Sequence, residues 1–154
     1  MRRPILVVLL IALVTAPAVA REPQRPVEVV RSRMEHHLRE VSQITAHFES
    51  VLVRDCPRFE SAQEWRTYLN GEIDRMVLLI AHLEQAWIEA KHTGDDDVRR
   101  TAKAPRRLVE RARALLDKFT RCAGDHGLGI SPMAAWKRIE REVPQRQSEI
   151  ALPE

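Results

Sequence analysis

Six histidines carry most of the acid–base and metal-binding capacity of this chain. His36, His37, His47 and His82 fall in segments with helical spacing, and His126 falls in a loop rich in glycine. Counted from the end shared by two antiparallel helices at about 1.5 Å per residue, His37 lies ~27 Å along the first helix and His82 ~31 Å along the second. Met34 sits one turn before His37. A Met34/His37/His82 set has the softness that suits a copper-like metal. Against this stands the spacing. His-x-x-x-His, by which one helix presents two metal ligands on one face, does not occur. Structural or solvated histidines are the plainer reading, with no cofactor.

A second chemical signal is the partition of charge. Residues 60–97 hold nine acids and three bases, whereas residues 99–121 hold nine bases and two acids. Arg99, Arg106 and Arg113 repeat every seven residues and so share a helix face. Two roles fit such a row. Its flanks could pair with the acidic segment and set register between neighbouring helices. Alternatively, the row meets a protein partner or an anionic envelope surface, since guanidinium groups bind carboxylates and phosphates in a fork.

Catalysis has little support. The chain has no nucleophile elbow, no phosphate-cradling glycine loop and no Ser/His/Asp set that can be placed together. Asp125-His126 is a charged pair in a loop with no nucleophile nearby in sequence. Aromatic residues make up 5% of the chain, too few for a base- or sugar-stacking platform.

The chain begins with a pattern that predicts export. Arg2 and Arg3 precede the short apolar run 5–14, and Ala18-Val19-Ala20 is a small-x-small cleavage site. Residues 1–20 then form a cleaved signal peptide, and no transmembrane segment remains in the mature chain. Without Arg2 and Arg3 the 25 Lys and Arg fall to 23 against 22 acids. That near-balance, together with export, disfavours nucleic acid as a partner. A periplasmic or secreted location is oxidising, so the only two cysteines, Cys56 and Cys122, are expected to form a disulfide. Neither lies in a Cys-x-x-Cys motif.

The elements that position these groups are helices. Leu69, Ile73, Met76, Ile80, Leu83, Trp87 and Ala90 alternate by four and three, with Val77, Leu79 and Ala86 widening the stripe. A helix buried against several neighbours is expected there. It starts at the capping box Ser61-Ala62-Gln63-Glu64 and ends near His92. Gly71 lies inside it, either as a close approach of another backbone or as a break. Val30, Met34, His37, Val41, Ile44, Phe48 and Val51 predict a first helix over 27–53, ended by Cys56-Pro57. Asp95 to Asp97 cap a third helix, with Val98, Thr101, Pro105, Leu108, Ala112, Leu115, Phe119 and Cys122 inward, a kink at Pro105 and a stop at Gly124. Ser131-Pro132 opens a short fourth helix with Met133, Trp136, Ile139 and Val143 inward, ended by Pro144.

The expected fold is therefore all-α: an up-down-up bundle of three long helices, a short fourth helix and one disulfide. Residues 21–26 form a flexible lead-in, 27–143 the bundle and 144–154 a flexible tail. The expected function is non-enzymatic, an exported accessory or adaptor protein binding another envelope or secreted protein. The alternative is a periplasmic module that binds a metal or small ligand through Met34, His37 and His82.

Overall fold

The computed structural model describes residues 24–153, without the side chain of Arg106. The expected signal peptide lies outside the described residues. Within them the chain is helical, with no strand. α1 is Val27–Leu52, α2 is Ala62–Lys91, α3 is Asp96–Lys103, α4 is Leu108–Asp125 and α5 is Pro132–Glu149. A 3-10 turn, Ala104–Arg107, joins α3 to α4. Together these three pieces are the kinked third helix. Pro105 cannot donate to the carbonyl four residues back, so the ladder tightens there and restarts at Leu108.

α2 is the centre of the bundle and packs against every other helix. Its whole apolar stripe is buried except Trp87, which is partly buried. Its start is a complete capping box: the Glu64 amide donates to the Ser61 hydroxyl at 3.2 Å, and the Ser61 amide donates to the Glu64 carboxylate at 3.3 Å. The helix runs unbroken through Asn70-Gly71. Close backbone approach does not explain Gly71, because a Cβ there would meet only the Arg75 guanidinium, at 3.8 Å.

α1 antiparallel to α2 and α4 parallel to α1 give the expected up-down-up order. The parallel pair is tied twice at one pole. Cys56 and Cys122 are disulfide-bonded with their Cα atoms 5.6 Å apart. One turn earlier, Lys118 Nζ donates to the carbonyls of Val51 at 3.1 Å and Leu52 at 2.9 Å, and also to that of Arg54. A lysine from α4 thus caps the free carbonyls at the end of α1, a role usually filled from within the same helix.

Several boundaries differ from expectation. α4 does not stop at Gly124. The amide of Leu128 donates to Ala123 O at 3.0 Å and that of Gly127 to Gly124 O at 2.9 Å, and Gly127 takes φ +78°. This is a Schellman stop with Gly127 as its left-handed residue and Leu128 packed back on the helix. α5 does not end at Pro144 but continues to Glu149. Pro144 is exposed, while Val143 and Ile150 on either side pack on the core, and Gln147 donates to Glu84 on α2 at 3.2 Å. Tertiary contacts outweigh the lost hydrogen bond. The inward stripe of α5 is Ala135, Ile139 and Val143, which leaves Met133 at 70% exposure. In α3 the buried pair is Val98 and Ala102, and Thr101 is exposed. The end of the lead-in is also held: Arg25 donates its amide to His92 O at 3.1 Å and its guanidinium to Glu89 at 2.7 Å.

Candidate functional site

Two constellations of chemical groups sit on this frame, one between helices and one on the surface. The first is a polar seam between α1 and α2. Glu89 is clamped by Arg25 at 2.7 Å and approached by Arg33 at 3.9 Å. His37 and His82 face each other, Nδ1 to Nδ1, at 3.0 Å. His47 Nε2 lies 3.1 and 3.0 Å from the two oxygens of Glu72, and Arg75 donates to the same carboxylate at 2.8 Å. Positions 33, 37 and 47 ascend α1 while 89, 82 and 72 descend α2, as antiparallel helices require.

Both carboxylates of the seam are buried, with Glu72 at 1% and Glu89 at 2% exposure. An ionised carboxylate so placed needs cationic or hydrogen-bonding partners, and each has two. Those partners reach in from the rim, where their long side chains keep part of themselves in water. His47 and Glu72 form a dyad, but no nucleophile joins it. The hydroxyl of Ser50 donates to the His47 carbonyl at 2.7 Å instead of the ring.

The histidine pair is the innermost part of the seam. His37 is fully buried, and its pKa falls from 6.5 to about 4 through burial first, then the neighbouring His82 and His36 rings. Burial also lowers His82, against which Glu40 pulls upward and His36 downward. The two rings are therefore neutral at pH 7 and share one Nδ1 proton. His37 Nε2 has no partner. An orphaned lone pair is tolerated better than an orphaned N–H, so His37 carries its proton on Nδ1 and donates to His82.

The expected metal set is only partly brought together. His37 and His82 meet, with the His36 ring centroid 5.4 Å from that of His37 and 6.1 Å from that of His82. Met34 packs instead with Val30, Ala86, Ala90, Val98 and Ala102. No group of three or more His, Cys, Asp or Glu among the described residues could hold a metal ion.

The second constellation is a basic cleft where the end of α2 meets α3. It encloses about 580 Å³ and is lined by Trp87, Lys91, Asp96, Arg99, Arg100 and Lys103. Lys91 Nζ and Lys103 Nζ lie 5.4 and 5.0 Å from the centroid of the Trp87 ring. Arg99 donates to Thr93 O at 2.7 Å and lies 3.6 Å from Asp96, while Arg100 lies 3.3 Å from Asp97. From sequence, Trp87 reads as a core residue and the two lysines carry no pattern. Only the turn at Thr93–Asp95 brings α3 back over them.

Arg99 and Arg113 have different surroundings, although their spacing matches. Arg113 stacks on Trp136 of α5, with its guanidinium carbon 4.5 Å from the ring centroid. The side chain of Arg106 lies outside the described residues. The 3-10 turn between α3 and α4 interrupts the helical ladder that the seven-residue repeat assumes.

Among residues with described side chains, no acid of α2 pairs with a base of α3 or α4. Glu72 and Glu89 pair within the α1–α2 seam, Asp74 faces Arg138 of α5 at 3.5 Å and Glu84 accepts from Gln147. Among the described side chains, the charge partition therefore makes no pairing that sets register between α2 and α3 or α4. No helix among the described residues is long and apolar enough to cross a membrane. No family model, no curated protein and no solved structure matches the chain, so its functional reading rests on the geometry above.

Proposed function

We propose that this is an exported, non-enzymatic accessory protein that binds another envelope or secreted protein through the basic side of α3 and α4. The observation that carries the reading is the placement of the acids of α2. They face α1 and α5. On α3 and α4, Arg99 and Arg100 pair with Asp96 and Asp97 of their own helix, and Arg111 pairs with Glu49 of α1. That leaves Lys103, Arg107 and Arg121, all exposed and without a carboxylate partner among the described residues, to meet something outside the chain. The partner surface is accordingly acidic. Export is supported by the leader pattern at residues 1–20 and is compatible with a disulfide at the α1–α4 pole.

Two measurements test this. Intact mass of protein recovered from the periplasm or medium should begin at Arg21, and a cytosolic product retaining Met1 removes the export half. For the partner half, immobilised wild-type protein is compared with an Arg107→Gln/Arg121→Gln variant, both positions being exposed on the basic side. An envelope protein should bind the wild type, release as salt rises and bind the variant less. Equal, salt-insensitive capture by both removes the basic surface as the binding face.

A further inference from the structure

We infer that the cleft around Trp87 is a binding site for phosphoryl oxyanions, a proposal that rests on the anionic-partner reading and names the group the cleft would take. Four cationic side chains and one carboxylate line it, an excess of three positive charges. Its volume of about 580 Å³ falls within the roughly 300–1,000 Å³ typical of small-ligand sites.

The two ammonium groups set the chemistry. Among the described residues, neither Lys91 nor Lys103 pairs with a carboxylate; each rests near the Trp87 ring instead. The negative face of an indole orients an ammonium group without neutralising it. Trp87 thus holds two ammonium groups on the lining of one cleft. An anion in that cleft finds both as donors not already neutralised by a carboxylate. Lys91 belongs to the last turn of α2, where the helix dipole also favours a cation.

The two arginines complete the lining in different ways. Arg99 is fixed by its bond to the carbonyl of Thr93, itself 2% exposed, so its fork is preorganised. Arg100 is largely exposed and lies 3.3 Å from the equally exposed Asp97, a weak surface pair that it would exchange for a ligand in closing over the cleft. Asp96 opposes an anion, but it is exposed and already faces Arg99.

Charge and donor number favour phosphoryl over carboxylate. A lone carboxylate offers one charge and two oxygens. A phosphate monoester offers nearly two charges and three oxygens, and a diphosphate more. A soluble phosphate ester and a phosphorylated lipid headgroup present the same group, and the experiment separates them.

The probe is inorganic pyrophosphate, titrated into the isotope-labelled full chain. Binding is followed at the Trp87 indole N–H, assigned with Trp87→Phe. The expected result is a saturable shift that weakens with salt and is at least tenfold weaker in Lys91→Gln/Lys103→Gln. If that double variant unfolds by circular dichroism, Arg100→Gln, at an exposed position, replaces it and should weaken binding at least threefold. Citrate should bind at least tenfold more weakly than pyrophosphate. Vesicles of phosphatidic acid in phosphatidylcholine supply the lipid arm. Sedimentation with them, lost in the lysine variant, assigns the headgroup; pyrophosphate binding without sedimentation assigns a soluble ligand. No shift at Trp87, unchanged affinity in the folded variant, or citrate binding as tightly as pyrophosphate overturns the proposal. If it falls while an envelope protein still binds the wild type and not Arg107→Gln/Arg121→Gln, the partner reading stands without this site.

Discussion

His37 and His82 meet Nδ1 to Nδ1 at 3.0 Å in the α1–α2 interface, so a single proton holds the two rings together. A second proton on the facing nitrogens would set N–H against N–H. The pair is therefore stable only while both rings stay neutral or share one charge.

Acid should destabilise the fold through this pair. The folded-state pKa of His37, about 4, lies below its unfolded value of 6.5. Between those values the unfolded chain binds more protons, so stability falls as pH drops from 6.5 and levels off below 4. The loss from His37 alone amounts to about 3 kcal/mol across that window. Urea unfolding at a series of pH values should show the slope in wild type and its reduction in His37→Leu/His82→Leu, where both polar partners are removed together. An unchanged slope in the double variant would assign the acid sensitivity to other groups.

The ion cluster at Glu72 should respond asymmetrically to substitution. Glu72 is buried, but its partners His47 and Arg75 have side chains 36% and 48% exposed. Replacing Glu72 by Met returns two rim cations to water and costs less than about 1 kcal/mol. Replacing His47 and Arg75 together by Leu leaves a carboxylate buried without a cation, which costs about 3–5 kcal/mol. Chemical denaturation of the two variants decides the order. A larger loss for Glu72→Met than for the double variant contradicts it.

How much of this was legible in the sequence varies with the range of the interaction. The buried stripe of α2, the Ser61 capping box and the Cys56–Cys122 bond depend on local periodicity or on a single possible pairing. They follow from composition and spacing. The seam does not. Glu72 and Glu89 read as members of an acidic helix, and their burial depends on Arg33 and His47 arriving from α1 and Arg25 from the segment before it. Gly124 and Gly127 are both glycines near the end of one stripe, so spacing alone points to a stop at Gly124, and only the positive φ marks Gly127 as the residue that ends the helix. Pro144 has the local signature of a stop, and the contacts that carry α5 past it come from α2, which no local pattern shows. The seven-residue arginine repeat makes one face only on an uninterrupted helix, which the turn at Ala104–Arg107 does not provide.

Gly71 offers a stabilising substitution. It lies inside α2, and its added Cβ would make only an ordinary contact with the far end of Arg75. Gly71→Ala removes the entropic penalty of glycine within a helix and should add about 1 kcal/mol. The midpoint of urea unfolding should rise at unchanged slope. A fall would mean that Arg75 cannot yield without loosening its bond to Glu72.

The pole where α1 ends should tolerate reduction of its disulfide better than loss of both its ties. The bond joins residues 66 positions apart, for which the chain-entropy model gives up to ~4 kcal/mol. Reduction removes that constraint on the unfolded chain but leaves Lys118 bonded to the carbonyls at the end of α1. Lys118→Met alone frees carbonyls that water can reach, since the lysine site is only partly buried, and should cost about 1–2 kcal/mol. Reduced wild type should therefore remain folded with a lower unfolding midpoint. Reduced Lys118→Met should lose the contact between α1 and α4 at this pole, seen as faster hydrogen exchange at Val51, Leu52, Lys118 and Phe119 than elsewhere in the bundle. Thiol labelling of denatured, unreduced protein comes first, and two reactive thiols there would remove the bond itself. If reduction alone accelerates exchange at all four amides as much as reduction of the variant does, Lys118 contributes nothing to the docking of α1 on α4.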